Sequence, residues 1–493
     1  MQMSKKAPRT GFFGVRPDTG SNRVLALATL APGATKMNPT RRDFLSTAAA
    51  LFFDPQAPAD LTLKIGTVDV AIAPKRTIRT IGYNGSFPGP VLRLAEGRTI
   101  TVDVVNDTPS PDLVHWHGLF TPVDADGSVE EGTPMAPAHG QRRYSFAPRP
   151  SGTRWYHSHV HAGRNLHIAT YSGQYGVLIV EPRQNPARYD QEIPLILHGW
   201  QPFLSTHGGG GEGNEGSLEV HYGAFTVNSH ALGGGEPIRV RQGQRVLFRI
   251  VNANATLMHR LALPGHKFLV VALDGNPVAN PAEVSVLEMG PAERIDAIVE
   301  MNQPGIAILG DADDQVRNLG LGVVVEYANR TGNPQWTTPP DEKWDYTLFG
   351  RNENAPEPDQ RIPLVFKQKW VGNRAVDHWT INGKEYPKTD PIRVRANGRY
   401  RLIFDNQSDD MHPVHLHRHS FELVNVAGKP TRGVIKDVVD VMARSKVEVD
   451  LVADNPGPSL FHCHMQLHMD FGFMTMLEYE GEPAPPPMSH GRM

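Results

Sequence analysis

The sequence reads as an all-β protein of several domains. Its 493 residues include 47 glycines and 42 prolines, with 39% hydrophobic and 8% aromatic residues, a composition of short strands joined by many turns rather than of long helices. At ~100 to 200 residues per domain, such a length corresponds to about three domains. An internal repeat supports that number. Val91-Leu92-Arg93-Leu94-Ala95-Glu96-Gly97 leads into Thr99 to Asn106, Pro237-Ile238-Arg239-Val240-Arg241-Gln242-Gly243 into Arg245 to Asn252, and Pro391-Ile392-Arg393-Val394-Arg395-Ala396-Asn397 into Arg399 to Asn406. Each copy reads as strand, tight turn, strand, with Gly or Asn where a positive φ is easiest. The interval between Arg93, Arg239 and Arg393 is that of whole domains. Boundaries near Glu181-Pro182 and in the proline- and charge-rich stretch from Asn333 to Arg361 divide the chain into 60–183, 184–335 and 336–485, with a leader region at 1–59 and a tail at 486–493.

Chemistry concentrates around the only cysteine. Cys463 stands in His462-Cys463-His464, with His468 five residues beyond it. A thiolate among imidazoles suits a soft transition metal, and a strand turns neighbouring side chains to opposite faces. Cys463 can therefore face one metal while His462 and His464 reach a second. A buried free cysteine is otherwise a small inert hydrophobe. A single cysteine also forbids an internal disulfide, so stability must come from cores and bound metal.

Three further clusters recur: His115-Trp116-His117-Gly118, His157-Ser158-His159 and His412-Pro413-Val414-His415-Leu416-His417. On a strand His-x-His places both rings on one face, where the pair can chelate. With 22 histidines in the chain one such pair is unremarkable, but four clusters, one holding the only cysteine, are not. Zinc competes for histidine clusters. Eight imidazoles in four separated motifs exceed an ordinary zinc site, and a redox-silent ion leaves the Cys463 link unexplained.

In these four motifs and their order the chain, from about Leu61 to Glu480, resembles the multicopper oxidases, the family of laccases, bilirubin oxidases, ferroxidases and cuprous oxidases. The resemblance implies three cupredoxin-like Greek-key β-sandwiches. Copper motifs occur only in the first and third repeats, so those two domains should close around a shared centre while the second spaces them. It implies four coppers. Cys463, His412 and His468 would hold a type 1 blue copper, His115 and His415 a type 2 copper, and His117, His157, His159, His417, His462 and His464 the type 3 pair. Phe473 occupies the position, ten after the cysteine, where relatives place methionine or a non-coordinating residue, which implies a blue copper without an axial thioether. Met474 is one residue away: a local register shift would make it the axial candidate, and otherwise it reads as a core methionine on a strand from Phe473 to Leu477. Asp126, eleven residues after His115, matches a family acid that supplies protons, and is equally a turn aspartate before Gly127. Many bacterial relatives carry glutamate directly after the second type 1 histidine; here that residue is Met469, with Asp470 the nearest replacement.

The expected activity is one-electron oxidation of phenols or aromatic amines through His468 and Cys463, coupled to reduction of dioxygen to water. A cuprous oxidase or other metallo-oxidase is the alternative and would call for a methionine-rich insertion; Met465, Met469, Met474 and Met476 cluster only around the ligand motif. A non-enzymatic periplasmic copper-binding protein is the remaining reading, and a complete set of eight histidines argues against it. The net charge of −3 without long like-charge runs argues against nucleic acid as a partner. The glycine runs Gly208 to Gly216 and Gly233 to Gly235 lack the Gly-Lys-Ser/Thr ending of a phosphate loop and read as flexible loops. Thr40-Arg41-Arg42-Asp43-Phe44-Leu45, the apolar Ala48 to Phe53 and the small-residue Ala57-Pro58-Ala59 match a twin-arginine export signal, implying the twin-arginine machinery as a partner and a periplasmic or secreted location. Met37 is an alternative start, and the apolar run is too short to span a membrane.

Overall fold

The computed structural model describes residues 57–183, 188–207, 217–371 and 375–482. The segment Thr40 to Phe53, the glycine run Gly208 to Gly216 and the tail 486–493 lie outside them. Among the described residues the α-helices are two five-residue segments, Asp314–Asn318 and Gln466–Asp470, and six sheets make up the fold. No helix there is long and apolar enough to cross a membrane.

The sheets stack in three pairs along the chain. Two four-stranded sheets occupy residues 61–181, and a six- and a five-stranded sheet occupy 191–327 and again 360–479. The alternation that makes strands of these sequences is visible in Ile100–Asn106, whose residues switch between buried and half-buried along the strand. Its inward Val102 and Val104 meet Leu178 and Val180 of the facing sheet, with Trp116 and Tyr156 filling the space between. A larger continuous core runs through the second and third pairs and includes Cys463 and Phe473.

The repeat identified in the sequence closes each pair in the same way. Its turns place Gly97, Gly243 and Asn397 at φ of 74°, 80° and 65°, the left-handed region that a residue with a bulky β-branched side chain resists. The short strands Leu92–Ala95, Ile238–Val240 and Ile392–Val394 then run parallel to the last strand of their own pair. Arg93, Arg239 and Arg393 face Glu181, Glu326 and Glu478 on those last strands. Such exposed pairs contribute little stability, on the order of 0–1 kcal/mol each.

Two of the sheets carry the histidine motifs. In the first pair His115–His117 lies antiparallel to Gly152–His157, with His115 opposite His157. In the third, Ser459–Cys463 is flanked by His412–Leu416 and Met474–Tyr479, with His415 opposite His462 and Val414 opposite Cys463. The first and third pairs meet directly: the rings of His117 and His415 stack with centroids 3.9 Å apart, and so do those of His115 and His417.

Candidate metal centre

Alternation along Ser459–Cys463 splits the motif as the sequence demands. Cys463 turns into the third pair's core, where its Sγ lies 3.6 Å from Nδ1 of both His412 and His468, and those two nitrogens are 3.1 Å apart. His462 and His464 turn the other way, toward the histidines of the first pair. The three donors of the first group and the eight imidazoles of the second thus lie on either side of one strand.

The eight rings sort into small sets. His117, His157 and His464 bring nitrogens within 4.8 Å of one another, as do His159, His417 and His462, while His115 and His415 associate with His117. Most of the rings are oriented from behind. His115 donates Nδ1–H to the Asp126 carbonyl at 2.9 Å, His415 to the Asp437 carbonyl at 2.7 Å, His157 to the Ser158 carbonyl at 2.8 Å, and His462 to the Cys463 carbonyl at 2.9 Å. His417 donates Nδ1–H to Asp126 Oδ2 at 2.8 Å and His117 donates Nε2–H to Asp437 Oδ1 at 3.0 Å. A neutral imidazole that donates through one nitrogen keeps a lone pair on the other. Those lone pairs converge. The Nε2 atoms of His417 and His462 face each other at 3.1 Å, and the Nε2 atoms of His115 and His415 and both ring nitrogens of His464 are buried without a hydrogen-bond partner. Facing lone pairs and orphaned ring nitrogens are costly unless a cation lies between them, so the donor set fits copper.

Electrostatics agree. Burial, then repulsion from neighbouring rings, pushes His117, His159, His415 and His462 well below the usual imidazole range. Burial takes His468 down to about 3, and burial with the neighbouring His115 takes His417 down to about 4. These rings are neutral at physiological pH and available as ligands. Burial pushes the Cys463 thiol well up, so metal binding there must release its proton.

Two buried acids stand beside the rings, only one of them anticipated from the sequence. Asp126 is the residue before Gly127, which has φ 98°, and a fully buried carboxylate against the rings of His115 and His417. Burial opposes its charge, but His115 and His417 hold it well below the usual carboxylate range. Glu131, which the sequence reading missed, lies 3.4 Å from His417 Nδ1, and burial with the adjacent Asp126 pushes it well up, so it retains a proton beside the rings. The acidic run Glu130-Glu131 after Asp126-Gly127 was the available signal. Asp470 does not replace the absent glutamate. Its carboxylate accepts from the Ala162 and Gly163 amides and from Gln466, whereas the thioether-bearing Met469 lines the small cavity beside His157, His159, His462 and His464.

Around the first group, Phe473 is fully buried with its ring 4.7 Å from that of His412, and it shares the core of Cys463. Met474 belongs to a separate apolar cluster with Leu460, Met469 and Met476, on the other face of the strand. No register shift brings its sulfur toward Cys463. A surface cavity opens on His468, lined also by Trp379, Asp377, Met411 and Met465; the Trp379 ring lies 4.1 Å from that of His468. No segment of the sequence had indicated this cavity, whose walls come from both the second and third pairs.

A β-sandwich protein in which a thiolate–imidazole group is joined through one strand to eight converging imidazoles is a copper redox protein by its chemistry. The sequence matches the family description "Multicopper oxidase" over residues 64–185, 213–307 and 359–482. It is 31% identical over 435 residues to the multicopper oxidase MmcO of Mycobacterium tuberculosis, covering 82% of this chain and 83% of that one. A bilirubin oxidase of Albifimbria verrucaria is 27% identical, with 80% of this chain and 72% of that protein covered. Among solved structures, the multi-copper oxidase from Pseudomonas thermotolerans superposes with a TM-score of 0.65 at 25% identity, over 86% of this chain and 100% of that one. The multicopper oxidase from Campylobacter jejuni, described as a metallo-oxidase, gives 0.65 at 20% identity over 86% and 92%. This chain belongs to the multicopper oxidase family, and is an oxidoreductase that uses copper and dioxygen.

One half-buried contact joins the two halves of the site. His161, just past His159, places Nε2 2.7 Å from Glu130 Oε1 and Nδ1 3.1 Å from Asp470 Oδ1, tying the first pair to the helix that carries His468. Burial opposes its charge, but the two carboxylates raise it from 6.5 to about 10. A raised folded-state value means stability that is fully present below the unfolded value and is lost as pH rises toward 10. His161→Gln should therefore cost about 2 kcal/mol near pH 6, with the difference from wild type shrinking to nothing above pH 10. Denaturant melts across that range check it; a difference independent of pH would rule out the charged bridge.

Proposed function

We propose that this oxidase is laccase-like and holds four coppers. His412, Cys463 and His468 would hold the type 1 ion, His115 and His415 the type 2 ion, His117, His157 and His464 one type 3 ion, and His159, His417 and His462 the other. The observation that carries this reading is the single strand on which Cys463 Sγ joins one group while the flanking imidazoles join the other. Bound copper would supply one-electron oxidation at the first group and the four-electron reduction of dioxygen to water at the second. The residues supply the rest. His468, lining the open cavity, would be the ligand nearest the substrate, and the short covalent path from Cys463 to His462 and His464 would join the two groups. Asp126 and Glu131 hold charge and proton at His417, where oxygen reduction consumes protons.

Phenols and aromatic amines are the substrates we favour. Trp379 offers an aromatic wall beside His468, and Asp377, whose Oδ2 accepts from Gln368 at 2.6 Å, puts a carboxylate in the same cavity to take up the proton that a phenol loses on oxidation. Met411 and Met465 favour a second reading, oxidation of a soft metal ion such as Cu(I), because thioethers select such an ion. Comparing kcat/KM for a methoxyphenol and for Cu(I) separates the two: preference for the phenol supports the first, and the reverse order transfers the function to metal oxidation. We further propose export through the twin-arginine machinery to the periplasm or beyond, so that Arg41→Lys with Arg42→Lys leaves the chain in the cytoplasm on fractionation.

The copper-loaded protein should be blue. Cys463→Ser should remove the colour and keep the type 2 resonance, while His464→Ala should stay blue and lose oxygen consumption by about 100-fold or more. A blue Cys463→Ser protein, or normal turnover in His464→Ala, would refute the ligand assignment. Phe473→Met, by offering a thioether on the Cys463 side, should lower the potential of the blue copper and slow oxidation of poorly reducing phenols most. Redox titration of both proteins measures this, and an unchanged potential would remove Phe473 from the axial position.

A further inference from the structure

The second sheet pair carries none of the histidine motifs, yet it reaches the eight-imidazole group. Arg294, at the start of Arg294–Glu300, donates Nη1–H to Asp437 Oδ1 at 2.7 Å and Nη2–H to Asp437 Oδ2 at 2.6 Å, a two-pronged contact between fully buried side chains. The guanidinium is itself fixed, donating to the Ala292 and Asp274 carbonyls, each at 3.1 Å. Asp274 also holds the backbone of the third pair: its Oδ2 accepts from the Asp437 amide at 3.2 Å and the Val438 amide at 3.0 Å.

Asp437 in turn sets two rings. Its Oδ1 accepts from His117 Nε2, and its backbone carbonyl accepts from His415 Nδ1. A carboxylate gripped by a planar fork cannot rotate, so the lone pair offered to His117 has a fixed direction. That direction selects the tautomer of His117 and leaves Nδ1 facing His157 Nε2, 3.5 Å away. The packing leaves no slack. At Gly118, with φ 81°, an added Cβ would lie 2.6 Å from Arg294 Nη2 and 2.8 Å from Asp437 Oδ2. The glycine that ends His115-Trp116-His117-Gly118 is the space into which the arginine fits.

We propose that Arg294 is a positioning residue of the oxygen-reducing centre, through which the motif-free second sheet pair fixes Asp437 and thereby the orientation of His117 and His415. The proposal rests on the four-copper reading above. It makes no contact with His412, Cys463 or His468, so its effects should be confined to one of the two groups. Orientation by a neighbour behind a ligand is commonly worth ~10- to 100-fold in metal affinity or activity.

The test compares copper-loaded wild type with Arg294→Lys, which keeps the charge and loses the fork, Arg294→Met, and a control, Arg401→Met. Arg401 makes a similar two-pronged contact with Asp450 in the third pair, at 2.7 and 3.1 Å, away from every histidine motif. Copper per chain, electron paramagnetic resonance, the near-ultraviolet band of a coupled copper pair, the blue band and its potential are read together with the melting temperature of the copper-free proteins. Both Arg294 variants should keep the blue band and potential, lose the coupled-pair signature or copper from that group, and reduce oxygen ~10- to 100-fold more slowly. Arg401→Met should lower the copper-free melting temperature and keep every copper signal. Wild-type signatures and full turnover in Arg294→Lys would overturn the proposal, as would equal spectral damage in Arg401→Met. Should Arg294→Met fail to fold, Arg294→Lys decides alone. A wild type with no coupled pair would instead refute the four-copper reading.

Discussion

Everything in this protein turns on the two-residue period of one short strand. In Ser459–Cys463 and the residue that follows it, alternation aims a thiolate into the core of one sandwich and its two neighbouring imidazoles toward another. Under the proposed function, an electron route between the two groups would be only a few covalent bonds long, because one backbone segment carries both sets of side chains. A one-residue slip of this strand would exchange the faces and destroy both groups at once. The flanking strands prevent that, with His415 opposite His462 on one side and Met474 opposite His462 on the other.

Gathering eight imidazoles in a dry space carries an electrostatic cost, and the structure meets it by orienting rings from behind. Backbone carbonyls of Asp126, Ser158, Asp437 and Cys463 take the proton of one nitrogen and leave the other for a metal. The two carboxylates nearest His417 are pushed in opposite directions: the rings hold Asp126 well below the usual carboxylate range, while burial and then the charge of Asp126 push Glu131 well above it. This gives a chain with methionine at position 469 another acid at the centre. The second sheet pair belongs to the same system, since Arg294 and Asp274 hold the aspartate that stands behind two of the rings.

The sequence determined the fold class, the repeat and the donor set. Residue type and spacing are sufficient for these, because strand alternation and the chelating geometry of His-x-His are local properties. The turns with Gly97, Gly243 and Asn397 at positive φ follow for the same reason. Only tertiary structure decided how the six imidazoles other than His115 and His415 divide into two sets of three, and that Phe473 rather than Met474 faces Cys463. It also decided the fates of the acids and the walls of the cavity at His468, where Asp377 and Met411 stand far from Leu218 along the chain. Those outcomes depend on which surfaces of distant strands pack together, and on the desolvation that packing imposes, and neither quantity is carried by spacing along a single chain.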